Sequence, residues 1–326
     1  MINEDTLKQI DYIEKRSKEI KPLVVIRSIT YNHEPYLKDA LEGFLRQKTC
    51  FPFIAIVHDD ASTDKTADVL KEYAQKYPDI IFPIFEKENQ YSKRDGSLTR
   101  IMDTACKVTG AKYVAMCEGD DYWTDYLKLQ KQVDFLESNP DYSMCFHRMD
   151  VISQDGKKLE DNAFSHLEDR EYKPDELFKV WTVPTASTLI RMKVFDKIRR
   201  NPNFKIGDNR LWLCCALNGK LYCLKDIMGV YRRQQTGWIR STGNKRAIEQ
   251  FIIHDGALLE TFPELNLPSL KEKHAKEYAL MTLYSFTDPK KLCIYFKTGL
   301  KKYRQKYIKH LIIQPFYKLN RVLKKI

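Results

Sequence analysis

Glycine is scarce in this chain, 12 in 326 residues, and no two glycines are separated by a single residue. A Gly-x-Gly-x-x-Gly turn is therefore absent, and with it the close backbone approach to a pyrophosphate that nicotinamide dehydrogenases need. No Gly-Lys-Ser/Thr P-loop occurs either. The eight cysteines never form Cys-x-x-Cys, and the seven histidines never form His-x-x-x-His. That spacing argues against a zinc site and for unbridged thiols in a reduced, cytosolic compartment. No charge-free apolar run approaches the roughly 18 residues that a membrane span needs. Residues 1–21 are dense in Lys, Glu and Asp with no apolar centre, so no signal peptide is expected. No nucleic-acid-binding module is recognisable, and no nucleic-acid partner is expected.

What is present is unevenly charged. The formal net charge is +11, yet residues 290–326 hold twelve Lys or Arg and no Asp or Glu. Without them, 43 basic residues face 44 acidic ones. The chain reads as a balanced globule with a basic tail, which speaks to its partners more than to its fold. In that tail Leu292, Tyr295, Phe296, Leu300, Tyr303, Tyr307, Ile308, Leu311 and Ile312 recur at helical spacing between lysines. The pattern suits an amphipathic helix on an anionic membrane surface reached through residues 290–326. A helix packed on the chain's own core fits the same pattern.

From the N-terminus, Leu7, Ile10 and Ile13 lie at helical spacing within residues 1–21. Apolar runs predict strands at 23–30, 53–57, 80–85 and 113–117, each followed by a helical pattern: 36–47, from about 64, 97–108 and the stripe of Tyr126, Leu129, Val133 and Leu136. Asp64 or Ser62 is a plausible cap for the second of these helices, and Thr124 for the fourth. Strand alternating with helix predicts a mainly parallel α/β sheet with right-handed crossovers. Beyond Met144 strand-like stretches at 143–152, 187–191 and 221–232 are more widely spaced, with a helix at about 208–217. Residues 244–326 read as mostly helical.

The run Tyr113 to Cys117 carries no charge and ends in Glu118, Asp120 and Asp121. The strand at 53–57 runs into Asp59 and Asp60 in the same way. Ligands in such sheets collect at the carboxyl ends of strands. Close carboxylates repel one another unless a cation compensates, and oxygen ligands suit Mg²⁺ or Mn²⁺.

Thr30-Tyr31-Asn32, Asp59-Asp60-Ala61-Ser62-Thr63-Asp64 and Glu118-Gly119-Asp120-Asp121 together resemble, in order, the motifs of family-2 glycosyltransferases with the GT-A fold. Ala61 stands where the family usually has glycine, and Glu118 where it usually has aspartate. The resemblance covers about residues 22–240. It implies a GT-A-type α/β fold, a mainly parallel sheet sandwiched by helices, with a helical C-terminal extension. The implied organisation is an N-terminal helix (1–21), a catalytic domain (22–243) and a basic helical region (244–326). Within the catalytic domain, 22–142 would bind nucleotide and 143–243 acceptor.

By the same resemblance Tyr31 would stack on the nucleotide base, with Thr30, Asn32 and Glu34 beside it, and Asp60 would accept a hydrogen bond from a pyrimidine imide. Asp120 would face the ribose, Asp121 would bind the metal, and Glu118 would hold its water shell. Asp208, in Gly207-Asp208-Asn209-Arg210-Leu211-Trp212, would be the catalytic base. Arg94, Trp123, Thr185, Arg233 and Trp238 complete the expected substrate contacts. Relatives often carry histidine where Gln234 stands, which removes one metal ligand here, while Arg232 or Arg233 could neutralise a diphosphate. The implied enzyme is inverting and uses Mn²⁺ or Mg²⁺ with a nucleotide sugar, a UDP-sugar being expected. Its acceptor would be a glycan or lipid-linked hydroxyl, in the cytoplasm or at the inner face of the plasma membrane. Two other readings share parts of the pattern: a sugar-phosphate nucleotidyltransferase, and a non-catalytic membrane or partner adaptor.

Overall fold

The apolar runs at 23–30, 53–57 and 113–117 become neighbouring strands, in a computed structural model that describes residues 2–159, 163–180, 182–234 and 244–323, with the backbone alone for 244 and 315–323. The chain forms two compact units. The first comprises Met1–Lys173, Trp181–Ile198 and Cys214–Arg233, and the second Pro174–Val180, Arg199–Leu213 and Gln234–Ile326.

In the first unit, helix α1 (Glu4–Ile20) precedes β1 (Val24–Thr30), α2 (Leu37–Leu45), β2 (Phe53–Asp59), α3 (Thr66–Lys76), β3 (Ile81–Phe85), α4 (Ser97–Lys107) and β4 (Tyr113–Met116). There follow β5 (Tyr122–Trp123), α5 (Lys128–Ser138), β6 (Tyr142–Ser153), β7 (Arg170–Tyr172), β8 (Leu189–Arg191) and β9 (Lys220–Arg233). The strands form one sheet in the order β3-β2-β1-β4-β8-β6-β9-β5, with β7 on β9. Strands β3, β2, β1 and β4 are parallel neighbours. In the other half only β6 and β9 run parallel, and β4–β8, β6–β8, β5–β9 and β7–β9 are antiparallel. Val24, Val25, Ile26, Ile54, Ala55, Ile56, Val57, Tyr113, Val114 and Ala115 are fully buried. Strands covered on both faces read as continuous apolar runs, which is why the sequence announces them.

Local chemistry sets the helix starts. Asn3 caps α1, its side chain accepting from Thr6 N at 2.8 Å. Asp64 Oδ1 accepts from Thr66 N at 2.9 Å at the start of α3. At α5 that task falls to Asp125, whose Oδ1 accepts from Leu127 N at 2.8 Å, and not to Thr124. Tyr126 lies ahead of this helix, exposed, and Lys128 takes a place on its buried face.

The second unit is helical: the start of α6 (Gly207–Asn218), then α7 (Asn244–Thr261), α8 (Pro268–Tyr284) and α9 (Pro289–Leu323). Ile252, Tyr278, Ala279, Met281 and Tyr307 form its apolar cluster, flanked by Ile248, Tyr295, Leu300, Tyr303 and Leu311. Helix α9 is kinked at Tyr303 (φ −139°, ψ 18°), where the hydroxyl lies 2.7 Å from His274 Nδ1. The apolar stripe of the tail therefore divides. Tyr295, Leu300, Tyr303, Tyr307 and Leu311 pack inward, whereas Phe296, Ile308 and Ile312 stay exposed. Among the described residues no helix is long and apolar enough to cross a membrane.

Candidate active site

Register brings the acids together. Thr30 at the end of β1 pairs with Asp59 at the end of β2, and Arg27 with Met116 near the end of β4. The pairing with β4 continues past the strand, since Cys117 N donates to Arg27 O (3.1 Å) and Gly119 N to Ile29 O (2.9 Å). Three loops thus leave one sheet edge side by side.

The loops after β1 and β2 are clasped. Asn32 Oδ1 accepts from Thr63 N at 2.8 Å, and Asn32 N donates to Ser62 Oγ at 2.9 Å. Glu34 Oε2 accepts from Lys65 N at 3.2 Å, and Glu34 N donates to Asp64 Oδ2 at 3.2 Å. Asn32 (φ 53°) and Ala61 (φ 60°) are both left-handed. The side chains of Asn32 and Glu34 are engaged within this clasp, whereas Tyr31 is 43% exposed.

Asp60 is buried. Its Oδ1 accepts from Gln90 N at 2.6 Å and its Oδ2 from Tyr91 N at 3.0 Å, so this carboxylate shapes the loop after β3. Asp59 is pushed up from the ordinary carboxylate range by burial, against the opposing bonds from Ser62.

In the loop after β4, Glu118 Oε2 accepts from Ile29 N at 3.2 Å. Gly119 has no room for a side chain: a Cβ there would stand 2.8 Å from Thr30 Oγ1 and 2.9 Å from Thr30 Cβ. Asp121 is buried, and burial, then Asp120, then Glu118 drive its carboxyl well above the usual range. Opposing them, Arg232 N donates to Asp121 Oδ1 at 2.8 Å. The guanidinium of Arg232 donates to Asp120 O (3.1 Å) and Asp39 Oδ2 (3.0 Å), and it lies 4.6 Å from the centroid of the Tyr36 ring.

Of the two arginines offered for a diphosphate one is engaged here, and one further group, His33, went unselected from sequence. Arg232, rather than Arg233, is the arginine locked against the acidic loop; its signal was the double arginine at the end of an apolar strand. His33 has Nε2 4.0 Å from Asp120 Oδ2, and its buried Nδ1 has no hydrogen-bond partner among the described residues. It directly follows the Thr-Tyr-Asn motif, so adjacency was the available clue.

Trp123 corrects an expectation. It is 3% exposed, its Nε1 donates to Ala186 O at 2.7 Å, and its ring lies under Lys128 Nζ (3.7 Å to the centroid) and beside Phe44 (5.0 Å). It is a core residue that ties the 3₁₀ turn Thr185–Ser187 to the acidic loop. An indole satisfied at both its ring and its N–H packs more favourably inside than on a wet pocket wall. Thr185 is half-buried in that turn, and Thr188 O accepts from Met116 N at 3.2 Å.

Arg94 is exposed and left-handed (φ 52°). Arg233 ends β9 opposite Ser153. Asp208 occupies the first turn of α6, in the second unit. Trp238 lies outside the described residues.

Among the described residues no three His, Cys, Asp or Glu side chains form a metal-holding group. Mg²⁺, however, is commonly held by one or two carboxylates plus substrate phosphates rather than by an all-protein cage. The buried Asp121, crowded by Asp120 and Glu118, has the excess of negative charge that a cation relieves. The donor set fits a metal of that kind.

The family model Glycosyl transferase family 2 matches residues 26–199. An uncharacterized protein of Mycobacterium tuberculosis is 39% identical over 214 residues, 65% of this chain and 59% of the relative. The chain thus spans about three-fifths of that relative's length. S. aureus TarS 1-349 in complex with UDP-GlcNAc superposes with a TM-score of 0.56 at 18% identity, covering 88% of this chain and 79% of TarS 1-349. Mannosyltransferase PcManGT from Pyrobaculum calidifontis, in complex with GDP-Man and Mn²⁺, gives 0.55 at 14% identity, covering 94% and 91%. At these identities the likeness is one of fold.

Proposed function

The chain belongs to glycosyl transferase family 2, and from that premise we propose that it moves a sugar from a UDP-sugar to a hydroxyl of a glycan or lipid-linked acceptor, with inversion. The observation that carries the reading is the convergence of the loops after β1, β2 and β4 on one sheet edge, with Asp60 and Asp121 both buried there. Open α/β sheets bind ligands at that edge, and two structural neighbours are complexes with UDP-GlcNAc and GDP-Man.

In this reading residues 22–142 hold the nucleotide, 143–243 the acceptor, and 244–326 form a basic helical region. Tyr31 stacks on the base, and Asp60 keeps the 89–91 loop in shape and faces the imide. Asp120 takes the ribose. Asp121, with Glu118 behind it, would hold Mn²⁺ or Mg²⁺, which when bound neutralises charge on the departing diphosphate. Arg232 orients the Asp120–Asp121 segment through its backbone and guanidinium bonds. Asp208 accepts the proton of the acceptor hydroxyl as its oxygen bonds to the anomeric carbon. The glycosidic bond to the diphosphate breaks in the same displacement, so no covalent enzyme intermediate is needed.

The test is turnover of a panel of UDP-, GDP- and dTDP-sugars with and without Mn²⁺, assaying the released nucleotide. A nucleoside diphosphate is the expected product, and pyrophosphate would instead mark a nucleotidyltransferase. Asp208→Asn should lower turnover by about 10²- to 10⁴-fold while donor binding by calorimetry persists. Full activity in that variant would remove Asp208 from the mechanism.

A further inference from the structure

Lys128 opens helix α5 with a side chain that is completely buried. Among the described residues its Nζ has no hydrogen-bond partner; Lys273, by comparison, reaches Asp255 at 2.7 Å. An ammonium taken out of water without a partner carries a large desolvation cost, and the positive end of a helix adds to it. Burial accordingly lowers the Lys128 pKa to about 7, although Cys117 and Cys145 oppose the shift. A methionine would fill much the same space at less cost, so stability does not account for the lysine. What the ammonium does face is the ring of Trp123, 3.7 Å from Nζ to the centroid, an attraction that strengthens out of water.

Trp123 follows Asp121 by two residues, and its Nε1 donates to Ala186 O at 2.7 Å. One turn along α5 from Lys128, Gln132 is also fully buried, and its Nε2 donates to Ser187 O at 2.9 Å. Two successive carbonyls of the Thr185–Ser187 turn are thus held, one from the acidic loop and one from α5. The contact between Lys128 and Trp123 joins the two holders. We propose that Lys128 is a positioning residue for sugar transfer: through the Trp123 ring it locks the acidic loop to the Thr185–Ser187 turn, so that Asp121 and Thr185 keep a fixed spacing. Reacting groups must be held to within about 0.5 Å of the productive geometry. A cation on a ring face resists sliding and tilting better than an apolar contact, because displacing it leaves a buried charge with nothing to face. The purpose of the lock rests on the sugar-transfer reading; its mechanics rest on α5, the indole and the two carbonyls.

Lys128→Met in the full chain removes the charge and keeps the length. Its thermal midpoint should equal or exceed that of the wild type, since a buried charge is gone. Amide exchange followed by mass spectrometry should speed up by about tenfold or more in residues 118–123 and 185–188 together. Gly119 N, Asp121 N, Ser187 N and Thr188 N are hydrogen-bonded there, so exchange reports their opening. The kcat/KM for the UDP-sugar should fall by about tenfold or more, a loss of function without loss of stability that a merely structural lysine would not give. Trp123→Phe keeps a ring under the ammonium but loses the bond to Ala186 O, so it should loosen 185–188 and leave 118–123 near the wild-type rate. A Lys128→Met protein that melts below the wild type, exchanges at the wild-type rate in either segment, or keeps its kcat/KM overturns the proposal. So does a Trp123→Phe protein that loosens both segments equally, because the indole N–H would then hold the loop. A wild type that turns over no nucleotide sugar would instead defeat the sugar-transfer reading, and the exchange rates would still decide the lock.

Discussion

Ala61 holds a left-handed conformation, φ 60°, in the turn that carries Asp59 and Asp60 away from β2. A Cβ in that region costs roughly 1–2 kcal/mol, while glycine would add about 0.4–1 kcal/mol of unfolded-state freedom. Ala61→Gly should therefore raise stability by up to about 1 kcal/mol. A β-branched residue is a poorer fit to positive φ, so Ala61→Val should lower stability by more than about 1 kcal/mol. Urea denaturation of the three proteins checks the order, and valine equal to alanine would show the turn to be relaxed. At Gly119 the constraint is contact. A methyl group 2.8 Å from Thr30 Oγ1 must push the acidic loop off β1, so Gly119→Ala should cost about 1–3 kcal/mol and weaken UDP binding measured by calorimetry. The acids and their order were legible residue by residue, because charge ending an apolar run survives translation into structure. Which side chains are already spent was not legible. Asn32 and Glu34 serve the clasp, Asp60 serves the 89–91 loop, and Trp123 serves the core, and each of those partners is remote in sequence.

Elements long enough to show a period were found from sequence, and two of the three shortest strands were missed. Strand β5 has two residues and β7 three, too few to alternate, and both exist because β9 offers them a pairing edge. Helix α1 was found, but its role comes from tertiary contact. Thr6 Oγ1 and Asn3 Nδ2 donate to the Glu86 carboxylate at 2.7 and 3.1 Å, and Gln90 Nε2 donates to it at 3.2 Å. Burial would raise the Glu86 carboxyl, yet His58, Thr6 and Asn3 hold it below its usual range. Because Gln90 N also binds Asp60, a chain of hydrogen bonds runs from α1 to the proposed base site. Glu86→Gln replaces one acceptor with a donor facing other donors, a loss of about 1–3 kcal/mol for a buried group. The expected kinetic signature is a severalfold higher KM for the sugar nucleotide with kcat near that of the wild type. A fall in kcat alone would place Glu86 outside donor positioning.

Across the whole molecule the net charge of +11 was countable from sequence, but the groups that make stability depend on pH were not, because burial decides them. In the helical unit, burial first and neighbouring lysines second depress His254 to about 3 and His274 to about 4. Their unfolded value is about 6.5, so between that pH and roughly 4 the unfolded chain binds protons that the native state refuses. Stability is then lost as pH falls below about 6.5, by about 1.4 kcal/mol per pH unit for each histidine. Glu277 works in the other direction. Burial, and after it Asp255, push its carboxyl up to about 9, although Lys273 opposes the shift. The native state therefore keeps a proton that the unfolded chain releases above about 4.3. Its contribution is present at low pH and fades as pH rises towards 9. Between about 4.5 and 6.5 the two effects partly cancel, and above 6.5 only the glutamate slope remains, so the helical unit should be most stable near neutrality. Glu277→Gln keeps the neutral form at every pH, so it should flatten the alkaline side and steepen the acid side. His274→Phe should flatten the acid side, at the cost of the bond to Tyr303. Urea midpoints at about pH 5, 6.5 and 8.5 separate the two limbs, and a Glu277→Gln curve parallel to the wild type from 6.5 to 8.5 would show that Glu277 ionises normally beside Lys273.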